Sequence, residues 1–248
     1  MTDSENGRAV DVVGIGALAW DRFLVLPRFP RADEKIRAIH CEECAGGTMA
    51  TALVALRRWG LGVRIVGVVG ADDYSERILA DLHAEQVDTE RVVRSTEAEG
   101  RRSTILVDHR HGTRCVIGGP HRIPPIPADC IEPSVFAGAR VLHLDTTCDE
   151  CGVEAAELAR SLGLKVTLDA ERVTPRIDSL LPLCDVVIAS YDFAREITGQ
   201  EKLDRAAYGL FLRSERPTIV TAGADGCAYV AQAAKRSVFL TSNAASSA

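Results

Sequence analysis

The first residues able to do chemistry are carboxylates placed where apolar runs end. Asp21 follows the run Val10 to Ile15, and open parallel sheets place their ligands just beyond the C-terminal ends of their strands. Its two acceptor oxygens could take hydrogen bonds from two neighbouring hydroxyls of a ligand. Asp145, in His143-Leu144-Asp145-Thr146, and Asp169 end two later runs, and Asp145 reads equally well as an N-cap of the next helix. Gly46-Gly47 precedes an apolar-periodic stretch. Paired glycines there would allow close backbone approach to a ligand, and a helix start offers unpaired N–H donors.

Other patterns are weaker. Gly14-Ile15-Gly16-Ala17-Leu18-Ala19 fits the dinucleotide fingerprint GxGxxG/A on paper, but that fingerprint must open a helix. An extended-looking run ending in Pro27 follows instead, which argues against nicotinamide binding. Cys41-Glu42-Glu43-Cys44 and Cys148-Asp149-Glu150-Cys151 are two CxxC pairs separated far more widely than in a zinc ribbon, so reduced, scattered thiols are expected, a metal site or a thiol switch is the alternative, and no metal ligand is assigned. The six histidines share no metal-binding spacing, and no Ser/His/Asp or Cys/His set can be assigned.

The elements that must position these residues alternate. Val10 to Ile15 and Val63 to Val69 read as strands, with helices over Thr48 to Trp59 and Tyr74 to Glu85. Strands are predicted again at Val141 to Leu144, Lys165 to Leu168, Val186 to Ala189 and Thr218 to Thr221. Helices are predicted over Gly152 to Ser161, Thr174 to Leu181, Asp192 to Ile197 and Leu203 to Arg213. Such alternation implies βαβ units and a mostly parallel sheet. Asp33 to Glu43 and Ser103 to Gly118 interrupt it. The second reads as a hairpin turning at Gly112, serving either as a substrate lid or as a homodimer interface. Val238-Phe239-Leu240 could form one more short strand in an otherwise patternless end.

Gly46-Gly47-Thr48-Met49-Ala50-Thr51-Ala52, followed by Gly67-Val68-Val69-Gly70-Ala71-Asp72-Asp73, resembles the first motif of the PfkB, or ribokinase-like, carbohydrate kinases. The resemblance spans about Val10 to Val230. It implies an α/β fold with helices on both faces of the sheet, a small β lid, and ATP-dependent transfer of a phosphoryl group to a sugar hydroxyl with Mg2+. It further implies sugar contacts at Asp21, Gly46, Gly47 and Asp145, and at Thr51, where the family pattern carries Asn. Asp72 matches the close of the motif and is expected to be structural; Asp169 matches an acidic position common in the family. Thr221-Ala222-Gly223-Ala224-Asp225-Gly226 resembles the family's Thr-x-Gly-x-x-Gly, which implies that Thr221, Gly223 and Gly226 approach ATP. It lacks the Gly-Lys-Ser/Thr ending of a P-loop. Ser190 and Phe193 stand where the family often carries Asn-x-x-Glu near magnesium and phosphate; Ser190 is kept as a nucleotide-binding candidate.

The family's Gly-Ala-Gly-Asp turn, which carries the catalytic base, is expected after Ala228 and does not occur in the sequence. No catalytic residue is therefore assigned, and the C-terminal part of the fold is expected to be missing. A general base contributes about 10²- to 10⁴-fold and an anion-hole donor about 10²- to 10³-fold, so the chain as written is expected to be nearly inactive. A non-catalytic sugar- or nucleotide-binding remnant and a nucleoside kinase of the same fold are the alternatives. The expected layout is a disordered tail at 1–9, an α/β domain at 10–231 with lid segments at about 33–43 and 103–118, and an irregular tail at 232–248.

The 248 residues are 46% hydrophobic with a formal net charge of -6. That is enough apolar content for a sizeable core, and the acidic balance argues against a nucleic-acid partner. No apolar run is long enough to span a bilayer and the opening MTDSENGRA is unlike a signal peptide, so a cytoplasmic protein without a membrane partner is expected.

Overall fold

The computed structural model describes residues 9–231 and the backbone of 238–240. The tails expected at 1–9 and 232–248 otherwise lie outside the described residues. The chain runs β1 (Val12–Ile15), β2 (Ala19–Leu26), β3 (His40–Gly46), α1 (Thr48–Arg58), β4 (Val63–Val69), α2 (Asp73–Ala84) and β5 (Asp88–Arg94). It continues with β6 (Arg102–Asp108), β7 (Thr113–Gly118), β8 (Val141–Asp145), α3 (Asp149–Ser161), β9 (Lys165–Ala170), α4 (Ile177–Leu180) and β10 (Val186–Ser190). α5 (Tyr191–Thr198), α6 (Leu203–Ser214), β11 (Thr218–Thr221), β12 (Cys227–Val230) and β13 (Val238–Leu240) follow. Contacts divide the chain into two compact units, Met1–Ile15 with Pro127–Ala248, and Gly16–Ile126.

In the first unit the strand order is β13-β12-β11-β10-β9-β8-β1. The strands from β1 through β11 pair in parallel, whereas β12 and β13 run antiparallel. Parallel strands are covered on both faces and need apolar side chains on each; accordingly all four residues of β1 are buried, and Leu142, Leu144, Val166, Leu168 and Val187 are fully buried. α3 packs on β8 and β9, α5 on β10, and α6 on β11 and β12. Ser190 caps the start of α5, and Gly199 ends it in the left-handed region at φ 66°, the conformation a helix C-terminus most readily gives to glycine. The helix expected over Thr174 to Leu181 is only Ile177–Leu180, followed by a 3-10 turn containing Pro182. Proline restricts the residue before it and has no N–H for the helix ladder.

In the second unit β4 and β5 pair in parallel beside α1 and α2. A separate four-stranded sheet has the order β3-β2-β6-β7. The hairpin expected within Ser103 to Gly118 is the β6–β7 pair. Of the segment Asp33 to Glu43, only the part from His40 onward is strand. The run after Gly14-Ile15-Gly16 is β2 rather than a helix, which removes the context a dinucleotide fingerprint needs. α1 is held by Met49 and Leu53, both with no exposed surface; each such burial is worth about 1.5–3 kcal/mol.

Candidate active site

Asp21 lies in β2, in register with Cys44 of β3 on one side and Ser103 of β6 on the other. Its half-buried carboxylate accepts hydrogen bonds from the Gly47 N–H and the Ser103 side chain. Burial raises its pKa, and the two hydrogen bonds only partly offset this. Gly46 and Gly47 have distinct tasks. A Cβ placed on Gly46 would overlap the Asp21 carboxylate and stand 2.6 Å from its Cγ. Gly47 caps α1 at φ 93°, where a Cβ would stand 2.6 Å from the Ala17 carbonyl oxygen. The Ala50 N–H of the first helical turn already donates to that oxygen at 3.3 Å, so the backbone here has no space for a side chain.

Asp21, Gly46 and Thr51 line a cavity of about 630 Å³ whose wall also includes Phe23, Cys44 and Trp59. The structure thus brings together the four candidates Asp21, Gly46, Gly47 and Thr51. It adds contributors with no signal in sequence. Ser103 reaches Asp21 only through strand register. Asp81 of α2 accepts from the Ala45 N–H at 2.6 Å, fixing the end of β3 just before the glycines. Asp72 caps α2: its carboxylate accepts from the Ser75 N–H at 2.9 Å, the Ser75 hydroxyl at 2.7 Å and the Gly100 N–H at 2.8 Å. Burial pushes its pKa up, but the Ser75 and Gly100 donors and nearby Arg102 outweigh burial and hold it low.

In the other unit, Asp145 ends β8 beside Asp169 of β9 in direct register. Asp145 accepts from the Thr147 N–H at 2.8 Å and from the Thr147 hydroxyl, capping the short 3-10 turn before α3. Asp169 has its pKa pushed up to about 6, first by burial and then by Glu171 and Asp145. Half-buried His143 lies two residues before Asp145, its Nδ1 2.9 Å from the Thr167 hydroxyl. Burial lowers the His143 pKa.

Ser190 and Thr221 are cross-strand partners at the ends of β10 and β11. Ser190 Oγ accepts from the Phe193 N–H at 3.2 Å. Thr221 leads into a turn over Gly223–Asp225, closed by Ala222 N–H to Gly226 O at 2.8 Å and Gly226 N–H to Gly223 O at 3.1 Å. Gly223 and Gly226 both have positive φ, 57° and 88°, so the turn requires glycine-type backbone.

The CxxC pairs differ in setting. Cys41 and Cys44 sit three residues apart on β3, and strand alternation points such residues to opposite faces. Cys148 caps α3 and Cys151 lies in its first turn, both buried. Among the described residues, no three His, Cys, Asp or Glu side chains are grouped to hold a metal ion. Among the same residues, no helix is long and apolar enough to cross a membrane.

The sequence matches the pfkB family carbohydrate kinase model over residues 10–244. A ribokinase of Staphylococcus aureus (strain COL) is 23% identical over 228 residues, covering 87% of this chain and 73% of that protein. A crystal structure from Agrobacterium tumefaciens, assigned provisionally as a ribokinase, superposes with a TM-score of 0.84 at 26% identity, over 95% of this chain and 77% of the other. Arabidopsis thaliana ribokinase complexed with ribose and ATP shares the fold, with a TM-score of 0.73 and 18% identity over 94% of this chain and 78% of that one. The family model spans almost all of the described residues and the solved ribokinases share their α/β architecture: the chain belongs to the PfkB family of carbohydrate kinases.

Proposed function

We propose that the chain recognises a sugar hydroxyl at Asp21 and ATP at the Thr221–Gly226 turn, as an ATP-dependent carbohydrate kinase does. The observation that carries the reading is the Asp21 carboxylate, braced by the Gly47 N–H and Ser103 in the cavity wall. A carboxylate has four lone-pair sites, so two internal donors leave acceptor capacity for vicinal hydroxyls. Thr51 adds a hydroxyl to the same wall. Asp145 is the corresponding sugar candidate of the other unit. At the turn, positive-φ glycines give the compact backbone that lets a phosphate approach main-chain donors.

Magnesium fits this chain poorly at the place the family often gives it. Ser190 Oγ is engaged with the Phe193 N–H and Phe193 is fully buried, so neither position offers a carboxylate or amide oxygen. Mg2+ ordinarily keeps several waters and binds through substrate phosphates, and it would come with ATP.

No Gly-Ala-Gly-Asp turn occurs in the 248 residues, and a polypeptide of this sequence is proposed to turn over more slowly than about 1 s⁻¹, the lower end of ordinary kcat values. Titration calorimetry with ribose, fructose and adenosine, with and without a non-hydrolysable ATP analogue, tests binding apart from turnover. At least one acceptor should bind, and Asp21→Asn should weaken it about ten-fold or more, since a hydrogen bond to a charged group is worth about 1.5–3 kcal/mol. If no acceptor binds, or if Asp21→Asn makes no difference, the proposed site is wrong.

A further inference from the structure

If the Asp21 cavity is the acceptor site proposed above, its wall also limits the charge the acceptor can carry. We infer that this cavity takes an uncharged polyhydroxy acceptor and excludes sugars that already bear a phosphate or carboxylate group. Among the described residues, five carboxylates line it, Asp21, Glu42, Glu43, Asp81 and Glu85, against the single cation Arg58.

Pairing accounts for some of that charge. Arg58 Nε donates to Glu85 at 3.0 Å, which leaves the guanidinium engaged. Glu43 lies 3.3 Å from Arg22 and 3.5 Å from Arg77, and takes the Trp20 indole N–H at 3.1 Å. The other three make no ion pair with an arginine or lysine among the described residues. Asp81 is satisfied by the Ala45 N–H, Asp21 by Gly47 and Ser103, and Glu42 lies 3.7 Å from His40 at an exposed edge. A hydrogen-bond donor satisfies a carboxylate without cancelling its charge.

The Cys44 thiol, which lines the same cavity, senses the field that remains. Its pKa is raised first by burial and then by Asp21, Asp81 and Glu42. An incoming phosphate would meet the same three groups. Like charges brought together without a counter-charge are a standard means of rejecting a wrong partner, whereas a neutral sugar's hydroxyls gain from a wall of acceptors.

Calorimetry with ribose against ribose 1-phosphate reads the charge effect, because the phosphate is added at C1 and the remaining hydroxyls are kept. The expected result is at least ten-fold weaker binding of ribose 1-phosphate, with the gap narrowing as salt is raised. Asp81→Asn keeps an oxygen to accept from Ala45 and should narrow the gap several-fold, read as the ratio of the two affinities in the variant against the same ratio in the parent. Equal binding of the two ligands, or a gap indifferent to both salt and Asp81→Asn, overturns the charge selection while the kinase reading stands. Failure of ribose, fructose and adenosine alike overturns both.

Discussion

Gly46 and Gly47 adjoin in sequence but should fail in different ways when a methyl group is added. At Gly46 the obstacle is the end of a side chain: the new Cβ would overlap the Asp21 carboxylate and stand 2.6 Å from Asp21 Cγ. Rotation of Asp21 relieves the overlap and costs it the Gly47 and Ser103 hydrogen bonds, along with its aim into the cavity. The acceptor then loses its own hydrogen bond to the Asp21 carboxylate, and a bond to a charged group is worth about 1.5–3 kcal/mol, so Gly46→Ala should weaken acceptor binding about 10- to 100-fold. Midpoints of denaturation should fall less than for Gly47→Ala, because the half-buried carboxylate that turns away regains water as a partner. At Gly47 the obstacle is backbone, the Ala17 carbonyl oxygen at 2.6 Å, and φ is 93°. Left-handed backbone costs a non-glycine residue about 1–2 kcal/mol before any overlap, and with the overlap Gly47→Ala should cost about 3 kcal/mol or more in stability, within the range of severe substitutions. Urea titration paired with calorimetry on both variants separates the two effects. If Gly46→Ala unfolds as readily as Gly47→Ala, or binds acceptor like the parent, the assigned division of labour is wrong.

Two further predictions concern titration and thiols. Asp169 is raised from 3.8 to about 6, so the stability it confers is full below about pH 4 and is lost as pH rises through about 6. A rise of that size corresponds to about 3 kcal/mol, and solvent screening of a partly exposed group reduces this to about 1 kcal/mol; Asp169→Asn should therefore stabilise the protein by about that much at pH 8 and flatten its stability between pH 4 and 6. An unchanged pH profile in urea titrations would remove the argument. Among the eight cysteines, exposed Cys41 and Cys115 should react with a disulfide reagent at once, whereas buried Cys148, Cys151 and Cys184 should wait for unfolding. Burial pushes the Cys184 thiol up to about 12, and the thiolate is the reactive form. Peptide mapping that finds Cys184 modified first would contradict the packing.

The sequence is most legible where one element carries its own signal. Val63–Val69, Leu203–Ser214 and the start of α1 at the paired glycines lie where periodicity and backbone chemistry place them. β5, with the sequence DTERVVR and no fully buried residue, has too few apolar side chains to announce a strand. Its order comes from pairing with β4. The Asp21 site shows the same division. Asp21 and the glycines are visible because their types suit the task, but Ser103 lies far along the chain and becomes a neighbour only because β2 pairs with β6. Ser190 carries a signal with two meanings: the hydroxyl that could reach a nucleotide is the one that caps α5.

Trp20 and Trp59 are the only two tryptophans of the chain, and both belong to the Gly16–Ile126 unit. Trp59 borders the cavity with 79% of its surface exposed, while the Trp20 indole is fixed to Glu43 on the four-stranded sheet. Intrinsic fluorescence therefore reports chiefly on one unit, whereas far-ultraviolet circular dichroism draws on the helices and strands of both. The two optical signals, followed in a single melt, divide the molecule at a boundary that no label has to create, and the interval between their midpoints measures how independently the halves come apart.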